Sequence, residues 1–325
     1  MDNDAITPEE TIDHGRNILE EFIGQRQAID NVRVALEACW NDGTAFPHTL
    51  MVGPPGLGKT QLAHVIAAEM GSPRLEALSQ TLESPSDLNA LLLRAGDREV
   101  VFLDECDELA ATPFQTLLYR AMEERKLFLG RQANDGKVGS IPLGNFSLLA
   151  ATNNEFSLVP PLLSRFKLIL RFDFYQPSDL KVIVANRAMQ HRWSCEDEVF
   201  GRIAALARGV PRRAIHLLEA AHRTARSENA DTITVDHFTK TCRLEGLDPL
   251  HGLDQTEQKY LRMLHEAQGA PVRVGTLVAR LGLPPRSLSA VIESYLLRIG
   301  FVARRNDGRE LTLLAVEYLQ RLAAA

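Results

Sequence analysis

The residues best equipped for chemistry are Gly53-Pro54-Pro55-Gly56-Leu57-Gly58-Lys59-Thr60, with Gln61 immediately after them. Gly53, Gly58, Lys59 and Thr60 fill the fixed positions of G-x-x-x-x-G-K-[ST]. Glycines let successive backbone N–H groups turn inward as an anion nest, and the start of a helix adds partial positive charge. Lys59 can then reach the β- and γ-phosphates of a nucleoside triphosphate, while the Thr60 hydroxyl takes a place on Mg2+. A second cluster, Asp104-Glu105, ends an apolar run. Asp104 would support the magnesium ion and Glu105 would polarise the attacking water. Asn153 ends a later apolar run, Phe146 to Thr152, where an amide could orient water or contact the γ-phosphate. Arg165 has two readings, a surface cation at a helix end or an arginine finger offered to a neighbouring subunit's nucleotide. Spacing alone does not choose between them.

These residues need elements to position them. Leu50, Met51 and Val52 form a short apolar run before the loop. After it, Leu62, Val65, Ile66 and Met70 recur at helical spacing, so the loop joins a buried strand to a helix. Leu75 to Leu78 is a weak strand and Asp87 to Ala95 a short helix. Val100 to Leu103 is uninterrupted and apolar, as a parallel strand covered on both faces requires. Asp104-Glu105 therefore falls at a strand's carboxyl end, where such sheets place ligands. Phe128 to Pro142 holds two β-prone pieces around Asn134-Asp135-Gly136, a hairpin signal. Residues 178–245 read as helices with arginine-rich faces, and Gly209-Val210-Pro211 marks a helix boundary just before Arg212. In the last stretch, helices are expected over Thr256 to Gln268 and Gly275 to Leu281. A third opens at Pro284-Pro285, with Leu288, Val291, Ile292, Tyr295 and Leu296 as its buried stripe and Arg286, Ser287 and Ser289 outward. Phe301 to Arg304 and Glu310 to Leu313 pair as a hairpin around Asp307-Gly308. Three helices and a wing can lie against a duplex, with Arg304, Arg305 and Arg309 meeting phosphates.

Composition sets the frame. The 325 residues are 45% hydrophobic and 24% charged, ordinary for a globular protein and long enough for two or three domains. No apolar run approaches a membrane span, and the N-terminus carries no secretory signal, so a cytoplasmic protein without membrane contact is expected. Four scattered cysteines lack metal-like spacing and read as reduced thiols. Net charge is −6, yet residues 251–325 hold ten Lys/Arg against seven Asp/Glu, or +3, leaving −9 for the remainder. A locally basic face on an acidic chain is compatible with DNA binding. The first fifteen residues carry five acids and no base, and read as a lead-in.

In order along the chain, GPPGLGKT, the Asp-Glu strand end, ATNN and LLSRF resemble the AAA+ ATPases. More narrowly, FIGQ ahead of the loop, FYQPSDLK, RGVPRRAIHLLEAA and the C-terminal LRIGFVARRNDGRELT are similar to the RuvB family of Holliday-junction branch-migration motors. The resemblance implies an α/β fold: an AAA+ phosphate-loop domain over 17–176 with a parallel sheet, a helical lid over 177–250 and a winged helix over 251–325; the acid-rich 1–16 before them reads as a flexible lead-in from its composition. The resemblance also implies ATP and Mg2+ as cofactors, Arg165 as the finger and Arg212 as the second sensor. Phe22, Ile23, Tyr175 and Pro211 would flank the adenine. Duplex or junction DNA, a homo-oligomer forming a hexameric ring, and a RuvA-type partner docking on hairpin 128–142 are the implied partners. Three departures stand out: Cys106-Asp107-Glu108 replaces Ile-His-Arg, Asn153 replaces threonine, and Asn306-Asp307-Gly308 replaces a more basic wing tip. Two other classes remain open from the residues: an AAA+ loader or remodeller whose winged helix grips protein, and a nucleotide-gated DNA-binding regulator.

Overall fold

The computed structural model describes residues 18–109, 112–131, 138–284 and 287–324. The lead-in over 1–16, the turn Asn134-Asp135-Gly136 and the step Pro285-Arg286 lie outside the described residues. Two compact units divide the chain, Met1–Tyr175 and Gln176–Ala325.

The first unit alternates strand and helix. A short 3-10 turn, Ile18–Glu21, precedes α1 (Arg26–Asp42); then come β1 (Thr49–Val52), α2 (Lys59–Glu69), β2 (Arg74–Leu78), α3 (Pro85–Leu93) and β3 (Val100–Asp104). α4 (Thr112–Glu124) leads into the hairpin strands β4 (Lys126–Arg131) and β5 (Val138–Pro142), followed by β6 (Ser147–Thr152), α5 (Pro160–Leu163) and β7 (Leu168–Arg171). Five strands form one parallel sheet in the order β2-β3-β6-β1-β7, and the expected hairpin is a separate antiparallel pair. Every residue of β6 is buried, as are the first four of β3, because helices cover both faces. The register aligns Leu78 with Asp104 and Val52 with both Thr152 and Arg171. The carboxyl ends of all five strands thus share one edge. The weak strand at Leu75 is real and pairs along its whole length with β3, which stabilises what local propensity leaves marginal.

In the second unit α6 (Pro177–Gln190), α7 (Asp197–Leu206), α8 (Pro211–Ser227) and α9 (Val235–Leu244) are joined by a two-residue parallel pair, β8 (Ser194–Cys195) with β9 (Thr232–Ile233). α8 buries Ala214, Leu217, Leu218, Ala221 and Ala225, one helical stripe. α10 (Gln255–Glu266), α11 (Val274–Leu281), a π turn at Leu288–Ile292 running into α12 (Glu293–Arg298), the antiparallel pair β10 (Val302–Arg304) and β11 (Arg309–Leu311), and α13 (Leu313–Ala324) complete it. Tyr260, Leu264, Leu277, Leu288, Ile292, Leu296, Phe301 and Tyr318 fill its winged-helix core.

One expected stripe needs correction. Val291 is exposed and Glu293 is fully buried. A π turn widens the spiral and rotates the residues that follow, so regular 3.6-residue spacing misplaces them. Leu288, Ile292 and Leu296 remain inward, as expected.

Candidate active site

The phosphate loop leaves β1 at the shared carboxyl edge. Gly53 donates its N–H to Thr152 O at 3.1 Å, which ties the loop's first residue to β6. A Cβ at Gly53 would lie 2.7 Å from Phe172 O, so no side chain fits this close approach. Leu57 is fully buried and anchors the loop from beneath, while Pro55 and Gln61 are exposed. Pro54 and Gly56 complete the turn that brings the chain to Gly58, the N-cap of α2. Lys59 is the first helical residue. Its buried ammonium donates to Gly53 O at 2.7 Å and Pro54 O at 3.0 Å, so the cation lies curled along the inside of the loop. A phosphate in the loop would meet a positive charge already held in place.

Thr60 Oγ1 donates to Asp104 Oδ2 at 2.8 Å, joining the start of α2 to the end of β3. These are hard oxygen donors in one place, and they suit Mg2+. Among the described residues no group of three or more His, Cys, Asp and Glu side chains forms a protein-only metal cage. A cation at Thr60 and Asp104 would therefore complete its shell with water and phosphate oxygens, as Mg2+ commonly does.

Glu105 occupies a left-handed conformation (φ 53°), which turns it out of the strand direction. Its backbone N–H is held by Asp104 Oδ1 at 2.9 Å, and its Oε2 accepts from Gln80 Nε2 at 2.9 Å. Gln80 was not among the residues expected from sequence. It follows β2 in a 3-10 turn over Ser79–Thr81, and Ser79 Oγ donates to Asp104 O at 2.8 Å. The signal was only positional: a polar pair just past a strand end on the ligand-bearing edge.

Two of the three departures from the family pattern have structural consequences here. Cys106 is buried, and burial together with the Asp107 and Asp104 carboxylates pushes its thiol pKa far up, so it stays protonated and acts as core. Asp107 accepts from the buried Thr152 Oγ1 at 2.8 Å, and Thr152 Oγ1 in turn accepts from Asn154 N at 2.9 Å. This chain fixes the end of β6, so that Asn153 projects from a held backbone and is itself exposed.

Near the loop, a Cβ on Gly58 would lie 3.3 Å from Phe22 Cζ and 3.5 Å from Tyr175 Oη. Tyr175 donates to Leu57 O at 3.1 Å. Gln25 clamps Asp173 through both backbone groups, donating to Asp173 O at 2.7 Å and accepting from Asp173 N at 3.1 Å. The FIGQ segment, with Ile23 half-buried inside it, is thereby fastened beside the loop.

Arg165 lies just beyond α5 and is held by Glu123 of α4. Its Nε donates to Glu123 Oε2 at 3.1 Å and its Nη2 binds the same oxygen. Glu123, on α4, is a second residue that sequence reasoning missed. In the second unit, Arg212 is exposed in the first turn of α8, beside the half-buried Pro211. A cation there opposes the helix dipole. The wing arginines differ from one another. Arg305 is exposed and bonds Glu310 through Nε at 2.6 Å. Arg309 is mostly buried, and its Nε donates to Glu293 Oε1 at 2.8 Å, an oxygen that also accepts from Tyr260 Oη at 2.9 Å. Arg304 is exposed and 3.5 Å from Glu293 Oε2.

A family model described as the Holliday junction DNA helicase RuvB P-loop domain matches residues 16–172, and the RuvB C-terminal winged helix domain matches 250–320. The RuvB subunit of the Holliday junction branch migration complex from Koribacter versatilis is 36% identical over 304 residues, covering 93% of this chain and 84% of that protein. The corresponding subunit of Thermotoga petrophila is 35% identical over 327 residues, covering 98% and 97%. The solved structure of the Thermotoga maritima RuvB Holliday junction branch migration motor matches with a TM-score of 0.79 and 35% identity, covering 93% of this chain and 96% of that one. No described helix is long and apolar enough to cross a membrane. Similarity that spans phosphate-loop domain and winged helix together is a likeness of whole architecture, and on that ground the chain belongs to the RuvB family.

Proposed function

We propose that this chain is an ATP-hydrolysing motor that drives branch migration of Holliday junctions, working as a homo-oligomeric ring of six subunits in the cytoplasm. The observation that carries the reading is the convergence of Lys59, Thr60, Asp104 and Glu105 on one edge of a parallel sheet. Bound ATP with Mg2+ would bring the phosphoanhydride bond and neutralise its charge. Lys59 and the loop N–H groups bind the phosphates, and Thr60 and Asp104 hold the ion's protein side. Glu105 accepts a hydrogen bond from the attacking water and sets its line of approach, with Asn153 beside the γ-phosphate. Arg165 of a neighbouring subunit leaves Glu123 and meets the charge that develops on the transferred group. Phe22, Ile23, Tyr175 and Pro211 enclose the base, and Arg212 senses the nucleotide from the lid. Arg304 and Arg305, with Arg309 behind them, set the wing against DNA phosphates without reading sequence. The hairpin of β4 and β5 docks a RuvA-type partner.

The test uses two inactive variants. Glu105→Gln keeps an intact finger but a dead site, and Arg165→Ala keeps an intact site but no finger. Each alone should bind ATP and leave a synthetic four-way junction unmigrated. Mixed, they should recover partial ATPase that rises with protein concentration, because one variant lends its arginine to the other's glutamate. Two dead proteins and a dead mixture, with subunit exchange shown independently, would remove the shared site. An ATPase that DNA fails to stimulate at low salt would favour a remodeller whose winged helix grips protein.

A further inference from the structure

The first turn of α8, which carries Arg212, is gripped from both sides by the winged helix. Arg208 precedes it in a left-handed conformation (φ 58°), an uncommon state for a long side chain and one held by its surroundings. Arg208 Nη1 and Nη2 donate to Glu257 Oε1 and Oε2, each at 2.7 Å, a bidentate pair with side chains only 9% and 3% exposed. Arg208 Nη2 also bonds Gly252 O. Arg213, on the other side of Arg212, donates to the same Gly252 carbonyl at 2.8 Å and to Leu206 O at 3.1 Å. From α12, Arg298 Nη2 donates to Arg208 O at 2.6 Å, and the Tyr295 ring centroid lies 4.2 Å beneath the Arg208 guanidinium. The far end of the clamp is equally fixed. Glu257 closes the capping box of α10, its Oε2 accepting from Asp254 N at 2.9 Å. Asp248 accepts from the N–H groups of Leu250 at 2.8 Å, His251 at 2.9 Å and Leu253, so the connecting loop has little freedom.

We infer that Arg208, Glu257 and Arg213 are positioning residues that lock the sensor turn to the winged helix, so that displacement of Arg212 is delivered to the wing rather than absorbed in the connection. The inference rests on the proposed reading of Arg212 as a nucleotide sensor and of the winged helix as the DNA-binding element. Its physical basis is stiffness. A buried, bidentate ion pair sharing oxygens with a helix cap has no alternative arrangement close in energy, whereas a flexible linker would let the lid move while the wing stayed still. The two arginines flanking Arg212 are committed to the clamp through Glu257 and Gly252, which leaves Arg212 as the exposed arginine of that triplet.

Glu257→Gln tests it, because glutamine retains the capping-box acceptor but cannot form the charged bidentate pair. With the full-length protein, steady-state ATPase without DNA should stay within about twofold of wild type, while base pairs migrated per ATP on a four-way junction should fall roughly tenfold. An unchanged coupling ratio in a variant that melts as a folded protein would overturn the inference. A wild-type protein that fails to migrate junctions at all would instead overturn the proposed function. Should the variant not fold, hydrogen exchange on the wild type decides. A non-hydrolysable ATP analogue should alter protection over 208–213 and over 252–260 together. A change confined to 208–213 would show that the clamp transmits nothing.

Discussion

Two arginine–glutamate pairs in this chain use the same chemistry in opposite surroundings. Arg165 with Glu123 is open to solvent, at 33% and 51% side-chain exposure, whereas Arg208 with Glu257 is closed off, at 9% and 3%. An exposed pair gains little over its hydrated partners, so its arginine can change partners cheaply. A buried pair has already lost its water, and breaking it strands a charge. Burial, more than distance, separates an arginine that can change partners from one that braces its own unit.

The largest effect should come from the exposed member. Arg165→Ala is expected to lower ATP turnover by about 10³ or more while nucleotide binding stays near wild type. Its thermal midpoint should barely move, since an exposed pair contributes about 0–1 kcal/mol. A turnover near wild type would make Arg165 a surface cation and end the contrast at its functional side.

Arg208→Ala should show the reverse pattern. Removing one partner of the buried pair should destabilise the second unit by about 3–5 kcal/mol. Urea unfolding followed at Trp193, with Trp40 replaced by Phe, reads that unit. A loss below about 1 kcal/mol would place this pair with the surface ones.

The wing offers the contrast at smaller scale. Arg304→Ala, at an exposed position, should reduce the slope of log binding constant against log salt by about 1, at a smaller stability cost than Arg309→Ala because its guanidinium approaches Glu293 Oε2 only to 3.5 Å. Arg309→Ala should cost more stability, because it leaves the fully buried Glu293 carboxylate with Tyr260 Oη on one oxygen and the exposed Arg304 at 3.5 Å from the other. Equal salt slopes in the two variants would mean that burial does not sort these arginines.

Smallest of all should be Glu123→Gln. Glutamine still accepts from Arg165, so stability should change by less than about 0.5 kcal/mol and ATPase by no more than a few fold. A loss approaching that of Arg165→Ala would mean that Glu123 holds the finger in its working position.

By itself the sequence determined the phosphate loop, the acidic strand end, the hairpin strands and the winged helix. Each is a contiguous stretch whose chemistry follows from backbone conformation: a glycine-rich turn between apolar strand and helix, or carboxylates ending a buried run. Those strand ends lie along one edge because the five strands pair in parallel, the arrangement that an apolar run covered on both faces points to. Only the tertiary structure decided who partners whom. Gln80 meets Glu105 across 25 residues, Glu123 meets Arg165 across 42, and Glu257 meets Arg208 across 49. Pattern and spacing cannot report such pairs, because a side chain's partner depends on how distant elements pack. The π turn at Leu288–Ile292 makes the same point locally. Its extra width places Glu293, not Val291, in the core, and that buried carboxylate, invisible to a helical wheel, fixes Arg309 at 2.8 Å while the exposed Arg304 approaches it only to 3.5 Å.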